Sequence, residues 1–486
     1  MWLRVAFTGM SVTLWLALLV QLATLALLRL GLGRTWLRRP GTILVLASVI
    51  YDGVIQVLLS FPSVAQWDTD RYGIASGYEA DAALLLSAGM LAYAIGFLVT
   101  GRGRRQAPSR ADVAHCTRVL DWRLLALASV PLAVLAYEGR GYNDYAVLKA
   151  PGMAPSPGPP PSPGVASVFL VIVVTLAAVS FLLRHGPRAM VPVLAVQSLV
   201  LAAAGERTPV IAAAAALVIC CAAAGMRPSR RQVTVTLVLT ALAVVVLSGA
   251  KAAGERMVFE QDTGLAGRLS ALRGEVTAPP PVPGTPGVAG QAALRLDGTS
   301  FTAAILQARA LGDPLLPASA VPESLLTAVP KALWPSKPDA GYALSPYDAE
   351  QLDFGLALVN ILPTVPGLYA GYMYPAWLIA FLAFLGLAWG LAERWMLARV
   401  TPARLVLLAG AVQAAVSYEG GLPTLADTMR SAAGIAVMAW GAGALVNRAS
   451  RAEGKRQYAA AVSDSVLSLY SPRYEIAHIR HLQRLQ

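Results

Sequence analysis

The sequence predicts an all-α, polytopic membrane protein with a large extracytoplasmic loop. Three observations lead there: apolar runs long enough to cross the ~30 Å hydrocarbon core of a bilayer, a charged fraction of only 14%, and connections that alternate between basic and acidic. The 486 residues carry a net charge of +12 and a mean hydropathy of +0.58. In a membrane protein Lys and Arg gather in the cytoplasmic connections, so this excess reads as orientation and implies no nucleic-acid partner.

About eleven spans, within a range of ten to twelve, follow from the apolar runs. They cover 5–30, 41–62, 82–100, 122–137, 165–183, 189–204, 209–226, 233–250, 374–392, 404–418 and 430–447. The first run is longer than the roughly 7–15 residues of a signal-peptide core and lacks a small-residue cleavage site, so it reads as a retained helix. "GLGRTWLRRP", the basic stretch 101–123, "RHGPR", "RPSRRQ", the connection 393–403 and the tail from Arg448 all fall on one side and hold most of the 39 Lys and Arg. The positive-inside rule makes that side cytoplasmic, with the N-terminus outside and the C-terminus inside. The chain thus divides into an N-terminal bundle (1–250, about eight spans), the extracytoplasmic loop (251–373), C-terminal spans (374–447) and a basic cytoplasmic tail (448–486).

Between spans, "MAPSPGPPPSPG" favours extended, solvated backbone, and 151–164 reads as an external spacer. In the large loop, "GTSFTAAILQARALG" places Phe301, Ile305, Ala308 and Leu311 near one helical face, and "PESLLTAVP" opens with proline at a first helical position. Both read as amphipathic helices lying on the outer membrane face. "GLALVNILPTVPGLYAGY" is interrupted by Pro363, Pro366 and Gly367 and reads as re-entrant or interfacial. Cys220 and Cys221 fall in an apolar run and Cys116 in a basic loop, a distribution without a disulfide framework or a metal-ligand spacing.

Several polar residues carry chemical content. In "AAAGERTPVIAAAAAL", Glu206 and Arg207 form either an interfacial ion pair in a turn or an anion site, the guanidinium offering two parallel donors to phosphate. "GAKAAGERMVFEQD" brings Lys251 and Arg256 to the outer surface, with Lys251 and Glu255 also at ion-pairing helical spacing. "YEGGLPTLADTMR" reads as an external hairpin in which Glu419, Asp427 and Arg430 either admit a polar headgroup or belong to a simple loop. Asp52, inside "VIYDGVIQVLL", costs about 2.5–3.5 kcal/mol in mid-membrane, and so serves an ion path, is protonated, or makes a structural hydrogen bond. All four histidines fall on the cytoplasmic side, which leaves no external imidazole as general base. "VPKALWPSKP" at 329–338 sets Trp334 among prolines and between Lys331 and Lys337, fit for the boundary between headgroups and hydrocarbon.

The "GERTP" mouth, "PKALWPSKP" and "TVPGLYAGY", on a many-span chain with a large external loop, resemble the Wzy-type oligosaccharide repeat unit polymerases of bacterial O-antigen and capsule pathways. A P-R-x-x-W-P-x-K-P segment is common in the big loop of that family. Pro330, Trp334, Pro335, Lys337 and Pro338 match it, and Lys331 stands in the arginine place, keeping the charge but losing the bidentate fork. The resemblance implies a GT-C-like membrane glycosyltransferase of the bacterial cytoplasmic membrane. Its substrates would be polyprenyl-pyrophosphate-linked oligosaccharides, used as donor and acceptor without nucleotide sugar, cofactor or obligatory metal. On that reading Arg207 and Arg256 clamp the donor pyrophosphate, and Glu206 or Glu419 takes the acceptor proton. Lys251, Lys331, Trp334, Lys337 and Arg430 would line the substrate site. A chain-length regulator is left open as a partner. Two rivals are an O-antigen ligase-like transferase, whose family uses an external-loop histidine, and a lipid-linked sugar flippase, for which pseudo-symmetric halves are expected.

Overall fold

A computed structural model describes residues 11–59, 76–101, 108–138, 165–203, 207–226, 229, 231–236, 238–240, 298–312, 315, 329, 334, 364–418 and 421–469. Every regular element among them is helical. The chain begins with α1 (Val12–Leu32), capped by the Ser11 hydroxyl, which accepts from the Leu14 N–H at 3.2 Å. After Arg39 come α2 (Pro40–Ser48), a π-helical turn over Val49–Val54, and α3 (Ile55–Leu59), one continuous rod with an extra residue in its middle. Then follow α4 (Ser76–Gly101), α5 (Arg110–Val119), α6 (Trp122–Glu138), α7 (Val165–His185), α8 (Met190–Ala203) and α9 (Arg207–Ala223). The later part supplies α10 (Thr299–Ala310), α11 (Val365–Tyr369), α12 (Pro375–Leu397), α13 (Pro402–Val416) and α14 (Gly421–Leu469).

Six of these helical stretches are long and apolar enough to cross a membrane, and a seventh is obtained if α5 and α6, bent by 42° at their junction, count as one. Residues 187–201, 208–223 and 402–416 are shorter apolar helices. Their outward faces are apolar: Leu16, Leu19 and Leu22 on α1, Leu124 and Leu127 on α6, and Phe384 and Leu391 on α12 are all exposed. That is the burial pattern of a body solvated by lipid tails, and the chain is a multi-pass membrane protein. On α12 the exposed Trp377 and Trp395 lie about 27 Å apart at 1.5 Å per residue, close to the ~30 Å of a hydrocarbon core with an aromatic belt at each edge.

Helices α4 and α12 run parallel and meet backbone to backbone. A Cβ added to Gly96 would lie 2.2 Å from the Ala383 carbonyl oxygen, and one on Gly386 would lie 2.1 Å from the Tyr93 carbonyl oxygen. Gly390, one turn further along α12 and four residues after Gly386, would meet Thr100 Oγ1 at 2.3 Å. Without side chains at these points the backbones meet, and Thr100 Oγ1 donates to the Leu387 carbonyl across the seam at 2.9 Å. Small residues serve this purpose in membranes, where tail-on-tail apolar contact offers no gain over lipid.

A buried ion pair closes the end of the bundle where the basic connections meet. Glu393, fully buried on α12, accepts from Arg39 Nη1 at 3.1 Å and from the Gly41 N–H at 2.9 Å. The carboxylate thus sits on the N-terminus of α2, where helix dipole and unpaired N–H groups both favour an anion. Nearby, α7 ends at Gly186, whose φ of 86° suits glycine, with Pro187 following as a stop. Arg184 reaches Asp121 at 3.5 Å and ties α7 to the α5–α6 junction.

Three sequence expectations change here. Cys116 lies on α5 and is buried, so its stretch is a packed helix and no loop. Residues 421–430 belong to α14, so the external hairpin between the last two spans is confined to a shorter connection after Val416. The basic tail also begins as helix: α14 runs 49 residues, about 74 Å at 1.5 Å per residue, well past the apolar stretch ending at Ala449. The spacer 151–164 and the run 241–250 lie outside the described residues.

Gly386→Ala is expected to destabilise the protein by about 1–3 kcal/mol by forcing α4 and α12 apart. Gly434→Ala, which would meet nothing within 4 Å, is expected to be neutral or stabilising by up to about 1 kcal/mol. Glu393→Ala should cost about 3–5 kcal/mol through the uncompensated Arg39 charge. Thermal unfolding in detergent checks all three.

Candidate functional site

Asp52 sits in the π-helical turn, about 18 Å along its helix from Pro40 at 1.5 Å per residue, beyond the middle of a ~30 Å core. It is 1% exposed. Its Oδ2 accepts from Ser48 Oγ, one turn earlier on the same helix, at 2.7 Å. The same oxygen accepts from Tyr418 Oη at 2.7 Å, across 366 positions of sequence. A π-turn widens the helix by one residue and re-aims its side chains, and such turns recur at functional sites. Here the neighbouring Gly53 admits α1: a Cβ at that point would lie 1.8 Å from Gln21 Oε1. Gln21 in turn donates to Ser87 Oγ on α4 at 3.1 Å. The ring of Tyr51 lies 5.7 Å from that of Tyr418.

The far side of the carboxylate is roofed by segments from the long polar stretch of the sequence. Gly298, just before α10, lies against Asp52: its Cβ, if present, would be 2.8 Å from Oδ1 and 2.3 Å from Thr364 Cγ2. Thr364 caps α11, its Oγ1 accepting from the Gly367 N–H at 3.1 Å. Helix α10 is present where the spacing of Phe301, Ile305 and Ala308 predicts one, but its burial is not that of a helix lying on a surface. Thr299, Ser300, Thr302, Ala303 and Ala304 are buried as well, and Leu311 is exposed. Short alanine, serine and threonine side chains let this helix enter the bundle, where Phe301 and Ile305 join the core with Met90, Tyr93 and Tyr369.

The residues singled out from sequence distribute unevenly. Arg207 opens α9, and Trp334 is half-buried. Arg430 lies on α14 and pairs with Asp427 one turn away at 3.2 Å. Glu206, Lys251, Arg256, Lys331, Lys337 and Glu419 lie outside the described residues. Among the described sequence candidates, Asp52 stands where several helices converge, and its environment is the structural hydrogen bond that is one of its readings. Tyr418, Thr364, Gly298 and Gln21 were missed. Ser48, at i−4 from Asp52 on a helix, was the one legible partner.

Among the described residues no group of three His, Cys, Asp or Glu side chains is placed to hold a metal. Comparison with family models, with curated proteins and with solved structures finds no match to this chain. Chemically, the centre offers a carboxylate anchored by two hydroxyls inside an apolar bundle, with amide and threonine groups beside it.

Tyr418→Phe removes one of the two hydroxyl donors to a buried carboxylate and is expected to destabilise by about 1–3 kcal/mol. Ser48→Ala should act on the same oxygen, so the double variant should depart from additivity. A double-mutant cycle by thermal unfolding measures this.

Proposed function

We propose that the chain polymerises polyprenyl-pyrophosphate-linked oligosaccharide repeat units at the outer face of the bacterial cytoplasmic membrane, as a GT-C-like glycosyltransferase with about eleven spans. The N-terminus is then outside and the C-terminus cytoplasmic. The observation that supports this reading most directly is the packing of α10 and α11 into the membrane bundle beside Asp52. Both come from or border the proline- and charge-rich stretch that carries "PKALWPSKP". Loop and bundle therefore meet, and a lipid-linked substrate with its tail in the bilayer and its sugars in water needs such a meeting place.

In this mechanism the acceptor hydroxyl attacks the anomeric carbon of the donor sugar. The new glycosidic C–O bond forms as the C–O bond to pyrophosphate breaks, and polyprenyl pyrophosphate leaves. Arg207 and Arg256 neutralise the charge that grows on the leaving group, which is where fixed cationic donors stabilise a transition state most. Glu206 or Glu419 accepts the hydroxyl proton. Lys251, Lys331, Lys337 and Arg430 attract the anionic headgroup, and Trp334 holds the loop at the interface.

A flippase for lipid-linked sugars is the second reading, favoured by one observation: an intramembrane carboxylate, Asp52, of the kind found along transport paths. Reconstitution with a lipid-linked repeat unit separates the readings. A polymerase yields a product ladder that persists in chelator, a ligase-like transferase a single transfer to another acceptor, and a flippase headgroup translocation without bond formation. Arg207→Ala is expected to lower ladder formation by about 100-fold to 1,000-fold while the protein stays in the membrane. A normal ladder in that variant sinks the assignment of the arginine.

A further inference from the structure

The turn between α12 and α13 gathers positive charge at the lipid-facing edge of the bundle. Leu391 and Trp395 continue the exposed apolar stripe of α12, so Trp395 faces the bilayer near the level where its hydrocarbon ends. The chain then turns and opens α13, where Thr401 Oγ1 accepts from the Arg404 N–H at 3.3 Å and sets Arg404 in the first turn. From there the half-buried Arg404 reaches back over Trp395, its guanidinium 4.7 Å from the ring centroid. Arg399, exposed in the turn itself, is close enough for its charge to act on that guanidinium.

Two like charges held near each other call for an anion, and the acids at this end are already engaged. Glu393 is taken by Arg39 and the Gly41 N–H, Asp121 by Arg184, and Asp112 by the capping of α5 at Ser109. Arg404 Nη1 is buried without a hydrogen-bond acceptor, and neither Arg399 nor Arg404 has an acidic partner, among the described residues. The Trp395 ring attracts a cation through its π face, but that face carries no formal charge to cancel two guanidinia. Phosphate oxygens match arginine forks, and a phosphate at the edge of the hydrocarbon, beside a lipid-exposed tryptophan, is that of a phospholipid. With Glu393, Asp121 and Asp112 engaged, two guanidinia favour a headgroup of net negative charge over one whose ammonium needs a carboxylate of its own.

We infer that Arg399 and Arg404, gathered around Trp395, form a binding site for the phosphate of an anionic phospholipid at the α12–α13 turn. The site lies at the Glu393 end of the bundle, away from Asp52, and holds whichever reaction the protein performs.

Lipid titration of the full-length protein in a nonionic detergent tests it, with bound lipid counted by native mass spectrometry. Phosphatidylglycerol is expected to bind about tenfold more tightly than phosphatidylcholine of the same acyl chains. Arg399→Gln changes an exposed side chain that no packing depends on, and should weaken phosphatidylglycerol by about tenfold while moving phosphatidylcholine by less than about twofold. Arg404→Lys keeps the charge but loses the fork, so its loss should be smaller than that of Arg399→Gln. Arg448→Gln removes the same charge from an exposed position where the apolar stretch of α14 ends, and should change neither lipid by more than about twofold. The site is ruled out if the parent protein does not distinguish the two lipids. It is equally ruled out if Arg448→Gln costs as much as Arg399→Gln, which would mean diffuse surface charge, or if inorganic phosphate displaces the lipid at equal concentration, which would mean a site for free anions.

Discussion

A carboxylate placed inside an apolar bundle must be satisfied by its neighbours, and Asp52 imposes that demand on segments that are remote in sequence. An unpaired polar group in hydrocarbon costs several kcal/mol, of order a large share of a domain's net stability. Ser48 meets the demand locally and Tyr418 from the end of α13, while Gly298 lies against the other oxygen with Thr364 packed beside it. Each contributor constrains an element: Ser48 the rod of α2 and its π-turn, Tyr418 the end of α13, and Gly298 the start of α10. One side chain therefore ties the rod to the end of α13 by a hydrogen bond and lies in close contact with the start of α10.

The opposite end of the same rod repeats the logic with a different chemistry. Glu393 is as deeply buried as Asp52, but it meets a full positive charge on Arg39 and a helix N-terminus at Gly41. Two acids, one on the rod itself and one docked against its base, thus pin both ends of α2 and its continuation. The difference in partners matters. An ion pair is held by charge and tolerates little rearrangement before a bare charge is left behind. A carboxylate held by hydroxyls has partners that can be exchanged for water or for other hydroxyls.

The membrane class, six helices of spanning length and Asp52 as a charge inside an apolar run were legible, because they rest on local apolar runs and on a charge out of place; Glu393 read as part of a cytoplasmic connection, yet it lies buried on α12. Burial of α10 was not legible. Its spacing shows one apolar face, and nothing local reveals that Thr299, Ser300 and Thr302 are buried too; small hydroxyl side chains read as solvated on a loop helix and as packable inside a bundle. The α4–α12 seam had a local signal, Gly386 and Gly390 four residues apart, but glycines in an apolar run gain meaning only once the partner helix is known. Tyr418 was invisible because a tyrosine after an apolar run reads as an interfacial anchor, and its partner lies 366 positions away. The candidate arginines and glutamates were legible as charges, yet charge alone does not gather residues into a site.

Burial of α10 also changes where chemistry at this membrane face is to be sought. With α10 inside the bundle, its first turn lies against Asp52, whose other oxygen is held by the hydroxyls of Ser48 and Tyr418. Glu419 is the residue after Tyr418 in the chain, so the carboxylate proposed to take a proton and the hydroxyl that fixes Asp52 are covalent neighbours. A movement that breaks the Tyr418–Asp52 hydrogen bond must carry the start of the α13–α14 connection with it.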